Sequence, residues 1–349
     1  MFLFCSQYIF STSCLLFSNL DAYYRKFNQD WKKMKKVFLG TSELEVSELC
    51  LGTMLFNNFN KVDSHNQIDF SLDRGINFLD TAEMYPVNPI SKNTVGVSEE
   101  IIGDWLQKNN KRDKLVIATK IAGEGNKEIR NGEPITSDSI KRTIEASLRR
   151  LKTDYIDLYQ FHWPNRGSYM FRKNWLFDPS AQKKADTVSH MEDTLGELKR
   201  QVDLGNIRYF GLSNESAWGT SMWLKIAEEL DLPRVLTIQN EYSLLCRLFD
   251  TDLAELCVNE DVTLLGFSPL AAGYLTGKYQ NGSIPKGSRM FKNKQMGGRA
   301  SPRVLPSTQA YLDIAKKYHL DPIHMSLAWY KYRPFKAIPI IGARIFEQL

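Results

Sequence analysis

From Lys35 onward, short runs rich in β-branched and apolar residues alternate with longer stretches in which apolar positions recur every three or four residues. Alternation at period two reads as strand and at 3.6 as amphipathic helix, so the chain predicts repeated βαβ units and a parallel sheet. The predicted strands span residues 48–53, 77–80, 115–120, 155–162, 207–213, 235–240, 263–268 and 337–341. The predicted helices between them span 64–74, 98–108, 137–151, 190–204, 217–230 and 252–260, and a further helical region at 308–332 is broken at Asp321-Pro322.

Punctuation supports these assignments. Ser137-Asp138-Ser139 is placed to cap a helix, and Gly75 and Gly205 sit where helices should end. Ahead of the first strand, Val37-Phe38-Leu39, Gly40-Thr41 and Leu44-Glu45-Val46 read as a short hairpin positioned to plug one end of the sheet. Eight such units over roughly 300 residues favour a closed (β/α)8 barrel, the TIM barrel, over a doubly wound sheet. No G-x-G-x-x-G opens a helix, so the dinucleotide fingerprint of the open sheet is missing. The runs 160–190 and 269–306 are long, polar and rich in Gly, Pro, Lys and Arg; both follow strands and should overhang the same barrel face. The last strand lies next to Leu349, and the expected architecture is a barrel truncated before its final helix.

Composition narrows the class. With 43% apolar and 24% charged residues the chain can bury a sizeable core. A net charge of +5, spread along the sequence apart from Lys32-Lys33-Met34-Lys35-Lys36, does not favour a nucleic-acid partner. Five cysteines without a Cys-x-x-Cys spacing argue against a disulfide framework and a zinc site, and point to a reducing, cytoplasmic compartment with no metal. The apolar first twenty residues have no Lys or Arg before Arg25 and are interrupted by Ser6, Gln7, Ser11, Thr12 and Ser13, so they read neither as a signal peptide nor as a membrane span. Residues 1–33 are expected to be an extension outside the fold, and 34–349 the barrel domain.

In such a barrel the C-terminal ends of the strands converge on the active site. Asp80, Lys120 and His162 end the second, third and fourth predicted strands, and Tyr85 follows in the loop after Asp80. Singly, each reads most simply as a turn, a solvated strand end or a packing aromatic. Together they form one chemical device. A phenol of pKa ~10 donates a proton at neutral pH only if its anion is stabilised. The Lys120 ammonium would supply that stabilisation by drawing the Tyr85 pKa down, Asp80 would hold the lysine, and His162 would orient a carbonyl oxygen.

The runs Phe78-Leu79-Asp80-Thr81-Ala82-Glu83-Met84-Tyr85, Ile117-Ala118-Thr119-Lys120, Leu158-Tyr159-Gln160-Phe161-His162-Trp163-Pro164 and Gly211-Leu212-Ser213-Asn214 resemble the aldo-keto reductase superfamily. The stretches 238–245, 267–273 and 275–279 look closest to the branch of bacterial Tas-like reductases and potassium-channel β-subunits. The resemblance implies reduction of an aldehyde or ketone by hydride transfer, with Asp80, Tyr85, Lys120 and His162 as catalytic tetrad and Tyr85 as proton donor. It implies that Ser213, Asn214 and Gln239 hold the nicotinamide carboxamide and that Phe267 stacks on the ring. Ser268, Pro269, Leu270 and Gly273 would follow the pyrophosphate, Lys278 would also bind the cofactor, and Arg289 and Gln348 would meet the adenosine end. Gly342-Ala343-Arg344 matches a family signature in which the arginine takes the 2′-phosphate, which implies NADPH over NADH.

Substrate-facing positions are expected at Met54, Phe56, Trp163 and the 160–190 segment, whose aromatic content suits an apolar or aromatic small-molecule carbonyl. Pro86 and a longer loop, 87–97, follow Tyr85, as in the Tas-like subgroup. The same motifs also suit a nucleotide-binding regulatory or redox-sensing subunit with little turnover. Turnover and oligomeric state, monomer or homo-oligomer, separate the two.

Overall fold

The computed structural model describes residues 34–87 and 89–349; the segment 1–33, read above as an extension, lies outside the described residues. A two-stranded antiparallel hairpin, β1 (Lys36–Phe38) and β2 (Glu45–Ser47), precedes eight parallel strands. These are β3 (Cys50–Gly52), β4 (Phe78–Asp80), β5 (Val116–Ile121), β6 (Ile156–Phe161), β7 (Ile207–Ser213), β8 (Val235–Glu241), β9 (Thr263–Phe267) and β10 (Ala337–Ile341). They close into a barrel because β10 pairs with both β9 and β3. All eight strands expected from the sequence are present, with edges moved by no more than two residues.

The helices are α1 (Lys61–Asp73), α2 (Val97–Asn109), α3 (Ser137–Leu151), α4 (Lys184–Asp203), α5 (Ala217–Glu229), α6 (Asp252–Asn259), the single turn α7 (Arg289–Lys292), α8 (Val304–Lys317) and α9 (Pro322–Ala328). In α3, Ile140, Ile144, Ser147 and Leu151 form one buried stripe. Its cap is Thr136, one residue ahead of the expected Ser137-Asp138-Ser139: Thr136 Oγ1 accepts from Ser139 N at 3.2 Å, and Thr136 N donates to Ser139 Oγ at 2.8 Å. Such a reciprocal cap stabilises a helix by about 1 kcal/mol. The break expected at Asp321-Pro322 is the start of α9, where Asp321 Oδ1 accepts from the backbone of Ile323 and His324 at 2.8 and 2.9 Å. Gly75 and Gly205 follow α1 and α4 with φ of 82° and 76°, as the left-handed end of a helix requires. α4 begins at Lys184 rather than at residue 190, so the polar loop after β6 is shorter than the sequence suggested.

The hairpin closes the N-terminal end of the barrel. Leu39, Leu44 and Val46 pack with Cys50, Phe78, Val116, Ala118, Leu158, Leu265, Ile338 and Ile340 in one buried interior cluster. At the turn, Gly40 N donates to Thr263 Oγ1 at 2.9 Å, and a Cβ at Gly40 would lie 2.8 Å from the Leu236 carbonyl oxygen. With φ at +51° as well, only glycine passes there without strain. A second, larger cluster fills the layer between the barrel wall and the surrounding helices. Among the described residues no helix is long and apolar enough to cross a membrane.

Candidate active site and cofactor cleft

The opposite end of the barrel is polar. Asp80 closes β4, Lys120 lies near the end of β5 beside Gln160 of β6, and His162 follows β6 directly. Tyr85 is fixed by the turn after β4. Its N–H donates to the Ala82 carbonyl at 3.1 Å, while Glu83 Oε1 beside it accepts from Ala122 N at 2.6 Å and Arg130 Nε at 3.2 Å. The turn is therefore tied to the loop after β5, and the phenol is aimed over the barrel mouth.

Lys120 is fully buried and its Nζ donates to Asp80 Oδ2 at 2.6 Å, the Thr81 carbonyl at 2.6 Å and Tyr85 Oη at 3.5 Å. Asp80 Oδ1 accepts from Gln239 Nε2 at 2.8 Å and Gln160 Nε2 at 3.2 Å. The carboxylate is thus surrounded by donors, which is what makes its burial affordable. The Tyr85 and His162 rings meet edge to face, with centroids 5.7 Å apart. All four residues expected to form the tetrad come together.

The electrostatics correct one expectation. Burial pushes the Tyr85 phenol up; Lys120 pulls it down but does not win, so the net direction is upward rather than downward. The phenol therefore keeps its proton at neutral pH. Burial opposes the charge of Lys120, but attraction from Asp80 and then Tyr85 outweighs it and the lysine is raised. His162 is held well below the usual imidazole range by burial and then by the Lys120 charge, so it is neutral. Its Nδ1 is buried without a hydrogen-bond partner among protein atoms.

Every cofactor residue expected from the sequence lines one cleft that also takes in Asp80, Tyr85 and His162 of the tetrad. Ser213 Oγ donates to the Gln239 carbonyl at 2.7 Å. Asn214, at φ 54°, donates through Nδ2 to the His162 carbonyl at 2.9 Å and to Ser213 Oγ at 3.0 Å, leaving its buried Oδ1 without a partner. A free amide acceptor beside the tetrad fits the NH2 of a nicotinamide carboxamide. Beyond Phe267 the backbone turns through positive φ at Ser268, Ala271, Ala272 and Gly273, and Gly273 has the Lys278 ammonium so close that a Cβ would lie 2.8 Å from Nζ. A curled backbone against an ammonium suits a phosphate. At the far end Arg344 N donates to Gln348 Oε1 at 3.2 Å, and the Arg344 guanidinium packs 3.8–3.9 Å from where a Cβ of Gly287 would be. Arg289 joins this wall with its Nε buried and unpartnered.

Three placements differ from the sequence reading. Phe56 is buried in the layer between barrel and helices and does not face the cleft, and Trp163 does not line it either: it packs against Ala82, Met84, Tyr85, Ala122 and Ile129 and donates through Nε1 to the Glu124 carbonyl at 3.1 Å. Gln160 was not singled out, although it is wholly buried and bonds Asp80; its signal was strand parity, since positions 158, 160 and 162 share one face.

The family model for the aldo/keto reductase family matches residues 48–349. The chain belongs to the aldo/keto reductase family. Protein tas of Escherichia coli (strain K12) is 42% identical to it over 315 residues, covering 88% of this chain and 89% of that protein. The uncharacterized oxidoreductase YrpG of Bacillus subtilis (strain 168) is 31% identical over 324 residues, covering 90% and 89%. A probable voltage-gated potassium channel subunit beta of Arabidopsis thaliana is 29% identical over 318 residues, covering 89% and 88%. Protein tas and the channel subunit beta are of the branch that the motifs around residues 238–279 suggested. As an aldo/keto reductase the chain is an NAD(P)H-dependent oxidoreductase of small carbonyl compounds.

Proposed function

We propose that residues 34–349 form an NADPH-dependent reductase of an aldehyde or ketone with Tyr85 as proton donor. The observation that carries this reading is the Lys120 ammonium shared between Asp80 Oδ2 at 2.6 Å and Tyr85 Oη at 3.5 Å, beneath a neutral His162. A nicotinamide dinucleotide bound in the cleft supplies the hydride. Ser213, Asn214 and Gln239 would hold its carboxamide end and Phe267 its ring, so that one face is turned toward the substrate. His162, uncharged, donates a ring N–H to the carbonyl oxygen and orients it. Tyr85 gives its proton to that oxygen, and the charge left on the phenolate faces the Lys120 ammonium, which Asp80 keeps oriented. A phenol held protonated in the resting site and stabilised only once it ionises is selective for the transition state. Arg344 at the far end of the cleft supports NADPH over NADH, because a guanidinium suits a terminal phosphate.

The test is loss of NADPH absorbance with a panel of apolar and aromatic aldehydes and ketones. Tyr85→Phe is expected to lower turnover by about two or more orders of magnitude. NADPH binding, followed by fluorescence titration, should stay nearly unchanged. Retained turnover in that variant would sink the assignment.

A further inference from the structure

A cavity of about 270 Å3 lies outside the barrel wall, among α4, α5 and the loops that precede α3 and follow β6. Of the residues that line it, only Ser213 also lines the cofactor cleft. Phe161 of β6, Leu212 of β7, Ile135 and Trp223 give it buried apolar walls. The loop side is fixed in place: Asn165 Oδ1 accepts from Ile135 N, and Asn165 Nδ2 donates to the Ile135 carbonyl, both at 2.9 Å. An apolar cavity of about 150 Å3 accepts benzene, so this one has room for a second ring.

The charges at the cavity already answer one another. Arg166 donates through Nη1 to Glu215 Oε2 at 2.8 Å and through Nη2 to Glu215 Oε1, and the Glu215 side chain is buried. Burial, helped by the Arg166 charge, outweighs Asp193 and Glu215 and lowers His190, so its imidazole is uncharged at neutral pH. One donor is left over. Trp223 meets Phe161, Phe210 and His190 edge to face, with ring centroids 5.5, 5.8 and 6.1 Å away, yet its indole N–H is buried without an acceptor among protein atoms. Buried donors are nearly always paired, and an apolar cavity with a few polar groups is the usual form of a small-molecule site.

We propose that this cavity is a second ligand site, which takes a neutral aromatic molecule of one or two rings whose carbonyl oxygen accepts from Trp223 Nε1. A charged ligand is disfavoured, because Arg166 is already held by Glu215 and no other cation lines the cavity. The site is separate from the tetrad and does not depend on the dinucleotide reading of the cleft.

The test is isothermal titration of the full chain with coumarin, a neutral two-ring lactone, with the melting temperature as a check on folding. The wild-type protein should bind it. Trp223→Phe keeps an aromatic wall and deletes the donor, so it should raise Kd by about five- to tenfold, the scale of one hydrogen bond. Thr187→Phe fills the cavity from α4 and should abolish binding, whereas Met54→Trp, which narrows the cofactor cleft instead, should leave it unchanged. In protein isotope-labelled at its indole nitrogens, the resonance that Trp223→Phe removes should be the one that coumarin moves. A wild-type protein that does not bind coumarin would make the cavity a packing gap and overturn the proposal. So would binding that survives both Trp223→Phe and Thr187→Phe, or binding that Met54→Trp abolishes, which would place coumarin in the cleft. If Trp223→Phe does not fold, Thr187→Phe and Met54→Trp carry the same test.

Discussion

Along β4 the inward side chains run from Phe78 to Asp80, along β5 from Val116 and Ala118 to Lys120, and along β6 from Leu158 to Gln160. The same strands therefore line two chemically opposite regions. Below, apolar residues meet Leu39, Leu44 and Val46 of the hairpin and nothing charged is present in the cluster. Above, a lysine and a carboxylate are buried as deeply as the leucines, yet every contact named for them is polar. The lower layer gains stability from removing apolar surface from water, at about 25 cal/mol per Å2. The upper layer gains little net stability from its ion pair, because desolvation cancels much of the attraction. What it gains is a positive charge at a fixed place under a phenol, so one end of the barrel holds the fold and the other holds the chemistry.

Lys120→Met breaks that contrast most severely, because it makes the upper layer resemble the lower one. Turnover should fall by about two orders of magnitude or more, since the phenolate loses its stabilising charge. Stability should also fall, by about 3–5 kcal/mol, because Asp80 is left buried without its cation. Gln160 and Gln239 still donate to Asp80 Oδ1, which limits the damage. The double variant Asp80→Asn/Lys120→Met should recover part of the melting temperature and none of the rate. If Lys120→Met alone keeps both, the tetrad does not act as a coupled unit.

Leu39→Ala probes the other end. Leu39 is wholly buried at the hairpin, so its truncation should cost about 2–5 kcal/mol in denaturant unfolding. Well below the lowered melting temperature, kcat should match that of the intact protein, because the tetrad is held by turns at the opposite end. A large change in kcat under those conditions would show that the two layers are coupled.

The two ends also differed in how readily they could be read from the sequence. Strands and helices were legible because burial on both faces of a strand leaves a short continuous apolar run, whereas burial on one stripe of a helix leaves a repeat of three to four residues. Asp80, Lys120 and His162 were legible because they are polar residues that end apolar runs. Gln160 was not, since a glutamine inside a strand carries no signal until its face is known. Nor was the direction of the Tyr85 shift, which depends on whether burial or the Lys120 charge prevails. The ion pairs of Glu241 with Arg172 and Arg299 are hidden for another reason: the two arginines come from the loops after β6 and β9, Glu241 ends β8, and no spacing connects them. Thr136 was passed over as a cap because Ser137-Asp138-Ser139 beside it presents three residues with the same capping ability.

Arg344 belongs to neither layer, and its substitution should be the mildest of these. The side chain is exposed at the far end of the cleft, beside Gly287 and far along the chain from the tetrad, so Arg344→Ala should leave the melting temperature within the small range usual for surface changes. Its effect should appear only in binding. Loss of a charge-assisted hydrogen bond to the 2′-phosphate should weaken NADPH by about 1.5–3 kcal/mol, while NADH, which lacks that phosphate, barely moves. Turnover at saturating NADPH should then be close to that of the intact protein, because Arg344 touches no reacting atom. Equal weakening of NADPH and NADH by Arg344→Ala would show that this arginine does not select the cofactor.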